Sequence, residues 1–307
     1  MKQPLVSVIV TCYNYGQFLK EAINSVTGQS YAKTEVIILD DGSTDNTNEV
    51  GLELQKLHEN IQFIRQDNQG VIATRNNGIK KARGEFIVFL DADDRLEEGY
   101  LQDTVNIATR NGVDIVYTDY KMFGAHQEES NFPDFSLEEL KNHNYIHISS
   151  LIRKKSIGSV IFDEKMKEMS HEDWDFFLAI CMKGAKAEKC STTHLEYRIH
   201  EVSRNNKLED DAGRLKFAQV FLYVTGKYPQ GYPNGAGYLS GRVFSDWYVN
   251  MSYKVGGIET DIRRMEEEKE RFRMKSETAN AQLDEIKKSK YYKLYIKLRS
   301  VKARLRN

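Results

Sequence analysis

Glu85-Phe86-Ile87-Val88-Phe89-Leu90 runs without a break into Asp91-Ala92-Asp93-Asp94. An apolar run with no polar alternation is the mark of a strand buried on both faces. The four residues after it carry three carboxylates, where the strand would meet solvent. The same grammar recurs upstream. Val6-Ser7-Val8-Ile9-Val10 is a short β-branched run, stopped by Asn14-Tyr15-Gly16 before a helical stripe of Phe18, Leu19, Ala22, Ile23 and Val26. Glu35-Val36-Ile37-Ile38-Leu39 precedes Asp40-Asp41-Gly42-Ser43-Thr44-Asp45, whose side chains suit helix N-caps. Ile61 to Ile64 leads through Asn68-Gln69-Gly70 into a helix around Val71 to Lys81. Strands alternating with helices predict an α/β protein with a parallel or mostly parallel sheet covered on both faces. Beyond a helix after Tyr100 and a strand at Asp114 to Thr118 the pattern loosens. It turns helical and aromatic over residues 213–253, with a turn-rich break at 228–235.

A chain of 307 residues makes two structural units or one enlarged domain. With 40% hydrophobic and 29% charged residues it is neither disordered nor fibrous. No run reaches the roughly 18–20 apolar residues of a membrane-spanning helix, and Leu5 to Val10 is too short for a secretory core, so a cytoplasmic location is expected. Cys12, Cys181 and Cys190 form no C-x-x-C pair and read as reduced structural thiols. The net charge of -1 hides an asymmetry, because residues 286–307 hold nine Lys or Arg and no acid, leaving -10 on the rest. Residues 258–286 carry a weak heptad (Ile258, Ile262, Met265, Phe272, Ala279, Leu283, Ile286), a seam for a homo-oligomer. The tail after it pairs basic residues with the stripe Tyr291, Leu294, Leu298, Val301 and Leu305. That pattern suits an anionic membrane surface, placing the protein peripherally on the inner face of the cell membrane, and equally a solvated face. Nucleic acid is not an expected partner, since the body is acidic.

In open α/β sheets ligands bind beyond the carboxyl ends of the strands. Here those ends hold Asn14 and up to five carboxylates: Asp40, Asp41, Asp91, Asp93 and Asp94. Their mutual repulsion calls for a cation, and oxygen-only ligands favour Mg²⁺ or Mn²⁺. Any single Asp after a strand is equally a turn former or cap, and Asp45 reads that way. Three acids after Leu90 exceed what a turn needs.

Together, Ser7-Val8-Ile9-Val10-Thr11-Cys12-Tyr13-Asn14, Asp40-Asp41-Gly42-Ser43-Thr44-Asp45, Arg75-Asn76-Asn77-Gly78 and Leu90-Asp91-Ala92-Asp93-Asp94 resemble the family 2 glycosyltransferases of GT-A fold, over roughly residues 5–205. The resemblance implies a Rossmann-like GT-A catalytic domain over residues 1–210. It would be followed by a helical acceptor-side or packing region (211–257) and a long charged helix (258–307). It also implies inverting, hexosyltransferase-type transfer from a nucleotide-sugar, usually a UDP-sugar, to an acceptor hydroxyl of a glycan or lipid-linked acceptor in cell-surface glycan synthesis. Carried over by position, Thr11, Tyr13 and Asn14 line the nucleotide pocket, while Asp41, with Asp40, bonds the base. Arg75 faces the pyrophosphate or orients an acid. Asp91-Ala92-Asp93 matches the D-x-D segment on the donor, with Asp91 near the ribose, Asp93 on the metal and Asp94 as a helper.

His171-Glu172-Asp173-Trp174-Asp175-Phe176 resembles the family's Glu-Asp segment, which makes Asp173 the general base for the acceptor hydroxyl. Its structural reading is a carboxylate complementing a helix N-terminus. Tyr197-Arg198-Ile199-His200-Glu201-Val202-Ser203 resembles a Tyr-Arg-x-His-x-x-Ser segment in which the His completes the metal set of Asp91 and Asp93 or meets the diphosphate. Relatives often carry Gly-Gly-Phe-Asp where this chain has Val160-Ile161-Phe162-Asp163, a departure on the acceptor side. The alternative from another class is a non-catalytic nucleotide-sugar-binding or coiled-coil assembly protein. A zinc-protease H-E-x-x-H fails at Asp175, and Gly235-Ala236-Gly237 does not complete a dinucleotide motif. The Gly-rich signature of a nucleotidyltransferase and the membrane spans of a processive synthase are absent.

Overall fold

The computed structural model describes residues 3–200 and 211–231. The first half is a run of β-α repeats: β1 (Val6–Cys12), α1 (Gly16–Thr27), β2 (Thr34–Asp40), α2 (Thr47–Leu57), β3 (Ile61–Arg65), α3 (Val71–Lys81) and β4 (Phe86–Asp91). β1 is buried along its whole length, as its apolar run predicts, and its polar Ser7 donates to Glu35 at 2.6 Å. α1 buries Leu19, Ala22, Ile23 and Val26, the stripe expected of it. In α3, Gly78 lets the helix lie directly on the sheet. A Cβ there would come within 2.5 Å of Ile9 Cγ2. That close approach carries Arg75, one turn earlier, over the strand ends.

The second half contains β5 (Arg95–Leu96), α4 (Tyr100–Arg110), β6 (Ile115–Gly124), α5 (Leu137–Leu140), β7 (Leu151–Arg153) and α6 (Lys154–Ile157), then α7 (Glu172–Met182), β8 (Ala187–Ile199) and α8 (Asp211–Lys227). All eight strands form one sheet in the order β3-β2-β1-β4-β7-β6-β8-β5. Pairings among β1 to β4, and between β6 and β8, are parallel. The short β7 and β5 run antiparallel to their neighbours. The core is continuous from Val8 and Val10 through Val88 and Leu90 to Val116 and Leu151.

Met1–Gly231 forms one compact unit. The expected charged helix at 258–307, with its heptad and basic tail, lies outside the described residues, as does most of the 211–257 region. No helix among the described residues is long and apolar enough to cross a membrane.

Candidate active site

Strand register brings the acids together. β1 and β4 pair Thr11 with Asp91, and β1 and β2 pair Cys12 with Asp40, so three strands end at one height. Thr11 Oγ1 donates to Asp91 Oδ1 at 2.8 Å. Arg75 reaches the same carboxylate through Nη2, at 3.1 and 3.2 Å from its two oxygens. Its Nη1 donates to Glu172 Oε1 at 2.6 Å. The Arg75 side chain is only 5% exposed. Burial opposes its charge, but Asp91, Glu172 and Asp173 outweigh that and raise its pKa, so the guanidinium is locked on. One cation on α3 thus ties the end of β4 to the first residue of α7, which lies 97 residues along the chain from Arg75. Its Nε is buried without a hydrogen-bond partner among the described residues.

The turn after β4 is tied back to its neighbours. Ala92 N–H donates to Thr11 O at 3.1 Å and Asp94 N–H to Asp91 O at 3.0 Å. Asp93 Oδ2 lies 2.8 Å from His200 Nε2. The imidazole stacks on Tyr15, with centroids 5.6 Å apart and planes at 22°, and tilts against Phe18 at 5.3 Å. Arg198 holds the turn from β8: its Nε donates to Asp93 O and its backbone N–H to Asp94 Oδ1, both at 2.8 Å. The guanidinium also pairs with Glu21 on α1. Burial and Asp91 push the Asp93 carboxyl up, against the pull of His200. Asp94 is pushed up further, by burial and by Asp93 and Asp91. Acids crowded to this degree gain from a nearby cation.

Among the described residues no three His, Cys, Asp or Glu side chains gather as a ready-made cage. Asp93 and His200 stand together, whereas Asp91 is engaged by Thr11 and Arg75. Two protein ligands completed by diphosphate oxygens and water is the way Mg²⁺ and related ions are commonly held. The residues present fit such an ion.

One strand over, Asp40 and Asp41 are tied to their own loop. Asp40 Oδ1 accepts from Ser43 N–H at 2.9 Å, and Oδ2 lies 3.6 Å from Arg65. Asp41 accepts from Gln66 Nε2 at 2.8 Å, Gln69 N–H at 2.9 Å and Gly70 N–H at 2.8 Å. Gly70, at φ 92°, makes the turn that aims its N–H there. Asn14, at φ 58°, accepts from Thr44 N–H at 2.7 Å and links the first loop to the second. Tyr13 is 47% exposed. Asp45, one residue ahead of the α2 N-cap position, accepts from Thr47 N–H and Gly16 N–H, both at 3.0 Å.

Asp173 sits in the first turn of α7, entered through Ser170 at φ 68° and His171 at φ 61°. Two consecutive non-glycine residues in the left-handed region are a local strain of the kind that collects at functional sites. Asp173 Oδ1 accepts from Trp174 N–H at 2.8 Å, and the side chain also bonds Asn144. Burial and Glu172 push the carboxyl up to about 6, against Arg75 and those two hydrogen bonds. Sequence reasoning missed Glu172, Arg198, Glu21 and Asn144.

A sequence model of the family described as Glycosyl transferase family 2 matches residues 7–163. A Haemophilus influenzae protein named as an uncharacterised glycosyltransferase is 31% identical over 192 residues, 61% of this chain and 75% of its own. Two Bacillus subtilis relatives named as glycosyltransferases are matched over about a third of their own length. Among solved structures, S. aureus TarS 1-349 in complex with UDP-GlcNAc has a TM-score of 0.59 at 20% identity, covering 71% of this chain and 66% of that one. The mannosyltransferase PcManGT from Pyrobaculum calidifontis, in complex with GDP-Man and Mn²⁺, has a TM-score of 0.56 at 18% identity, covering 75% and 65%. At these identities the two structures share the fold with this chain.

Proposed function

Because the chain belongs to glycosyl transferase family 2, we propose that it moves a hexose from a nucleotide-sugar, in the first instance a UDP-sugar, to an acceptor hydroxyl with inversion. Asp173 is the general base. The observation that carries this reading is the Arg75 guanidinium, which holds Asp91 at 3.1 Å and Glu172 at 2.6 Å and so sets the donor-side acids and Asp173 at one end of the sheet. The UDP-GlcNAc in TarS supports the donor class. Thr11, Tyr13, Asn14, Asp40 and Asp41 surround the nucleotide in this reading, the two aspartates by shaping the loops.

The acceptor oxygen attacks the anomeric carbon opposite the diphosphate, the bond to the phosphate oxygen breaks, and the acceptor proton passes to Asp173. No covalent enzyme intermediate forms. Asp93 and His200, with Asp91 beside them, would hold a divalent ion, which would supply positive charge to the leaving diphosphate; the Mn²⁺ in the PcManGT complex supports this choice of ion. Arg75, fixed in its charged state, supplies more. Peripheral membrane attachment through the basic tail, a seam at residues 258–286 and a glycan or lipid-linked acceptor belong to the same reading.

The test is the anomeric configuration of the product. NMR of the glycoside formed from an α-linked UDP-sugar is expected to show a β-linkage. A retained α-linkage would overturn single displacement, and binding without any turnover would favour the non-catalytic alternative.

A further inference from the structure

We propose that α8 braces the base: Phe217, Phe221 and Lys227 grip α7 on both sides of Asp173, and Lys227 is a positioning residue for transfer. This rests on the reading of Asp173 as the base. α7 is entered through the strained pair Ser170 and His171, and a strained conformation persists only where its surroundings over-determine it. α8 supplies part of that constraint. Phe217 lies against the His171 ring at 5.5 Å and stacks on the Trp174 indole at 6.1 Å, with planes at 9°. Phe221 stacks on Trp174 at 5.7 Å. The indole N–H is fixed from the other side by Leu140 O, at 2.5 Å. The residues flanking Glu172-Asp173 are therefore both held by one helix.

Lys227 completes the grip. Its Nζ lies 2.6 Å from Asp175 Oδ2 and 2.9 Å from Asp163 Oδ2. Asp175, two residues beyond the base, is only 1% exposed, and its other oxygen accepts from Tyr228 OH at 2.9 Å. A carboxylate buried to that extent needs a counter-charge. Asp163 also accepts from Tyr223 OH at 2.6 Å. It follows Phe162, whose N–H and C=O both bond the Asn76 side chain at 2.9 Å, and Asn76 is the neighbour of Arg75. The circuit closes on itself: α3 holds the 162–163 segment, Lys227 ties that segment to α7, and Glu172 at the start of α7 returns to Arg75 on α3. The Phe162-Asp163 half of that segment, which keeps the Phe-Asp of relatives, thus has a structural use. Its Phe162 stacks on Phe176 of α7 at 4.0 Å, and its Asp163 anchors α8.

The experiment uses the full chain with Lys227→Met and Lys227→Arg. Turnover is measured on whichever donor the unaltered protein consumes from a panel of UDP- and GDP-sugars with Mn²⁺, UDP affinity by calorimetry, and backbone exchange by mass spectrometry. Lys227→Met is expected to lower kcat about 10- to 100-fold, the scale of an ångström-level misplacement. UDP affinity and donor KM should stay within about threefold, which separates positioning from donor binding. Amides early in α7 should exchange faster while β1 and β2 are unchanged, and Lys227→Arg should recover most of the turnover. Unchanged kcat and unchanged α7 exchange would overturn the proposal. So would loss of UDP affinity in step with kcat and faster exchange throughout the sheet, which marks general destabilisation. Should Lys227→Met not fold, Tyr228→Phe removes one hydroxyl from Asp175 and must show the same pattern in weaker form, or the brace is refuted. Asp173→Asn in the same assay separates the two readings: if it turns over normally the base assignment falls, while the exchange data still judge the brace.

Discussion

Asp173→Asn reduces kcat by about 10²- to 10⁴-fold, the range for loss of a general base, and leaves nucleotide affinity in place. The substitution is close to isosteric, so Oδ1 still accepts from Trp174 N–H. It also removes a carboxylate that Glu172 repels, so the variant should unfold at or above the wild-type temperature. Activity and stability then move apart, which a folding defect would not produce. The wild-type pH profile carries the same signature. A base must be unprotonated, and with this carboxyl raised to about 6 in the free protein, log(kcat/KM) should fall with unit slope as pH drops through about 6. Residual activity in the variant should lack that limb. Steady-state kinetics between pH 5 and 8 checks this, and a variant within a few-fold of wild type would exclude Asp173 as the base.

Arg75→Met is the second large effect, and it strikes folding and catalysis together. The guanidinium is buried between two carboxylates, one of them 18% exposed and the other 35%. Removing the shared cation leaves both uncompensated at a cost of about 3 kcal/mol, discounted for the partial exposure of Asp91. For a unit of this size that is on the order of 6–12 °C in melting temperature. Turnover should fall at least about 10²-fold, since the Asp91 edge and the start of α7 lose their common anchor. Arg75→Lys keeps the charge but cannot reach both acids with a planar fork, and should recover stability better than activity. Calorimetry and initial rates on both variants check this. A melting temperature and rate matching wild type would show that the bridge does not organise the site.

The parts of the fold visible in sequence were those with strong periodicity. β1, β2 and β4 are continuous apolar runs because both of their faces are covered, and α1 shows its stripe because one face is. β8 was not legible. Its thirteen residues bury only Cys190, Thr193, Leu195 and Ile199, and a register shift opposite Thr118 and Asp119 breaks the alternation. β7, with three residues, and α5 and α6, with four each, are too short to carry a period. The site divides in the same way. Asp91, Asp93 and Asp173 stand in local motifs and could be named, whereas the Glu172 partner of Arg75 and the Arg198 clamp on Asp93 depend on contacts 97 and 105 residues long. Tertiary pairing of that range leaves no local pattern. The same holds for Asp41, whose carboxylate buttresses the 66–70 loop in a way that the Asp-Asp-Gly sequence does not announce.

The most direct measurement is a crystal structure of the Asp173→Asn chain with an intact UDP-sugar and Mn²⁺. The diphosphate is expected beside Asp93 and His200, with the Arg75 bridge to Asp91 and Glu172 in place and the anomeric carbon facing residue 173 across a gap that admits one hydroxyl. A nucleotide lodged away from the β1 and β4 ends, or a sugar whose anomeric carbon turns away from residue 173, would contradict it.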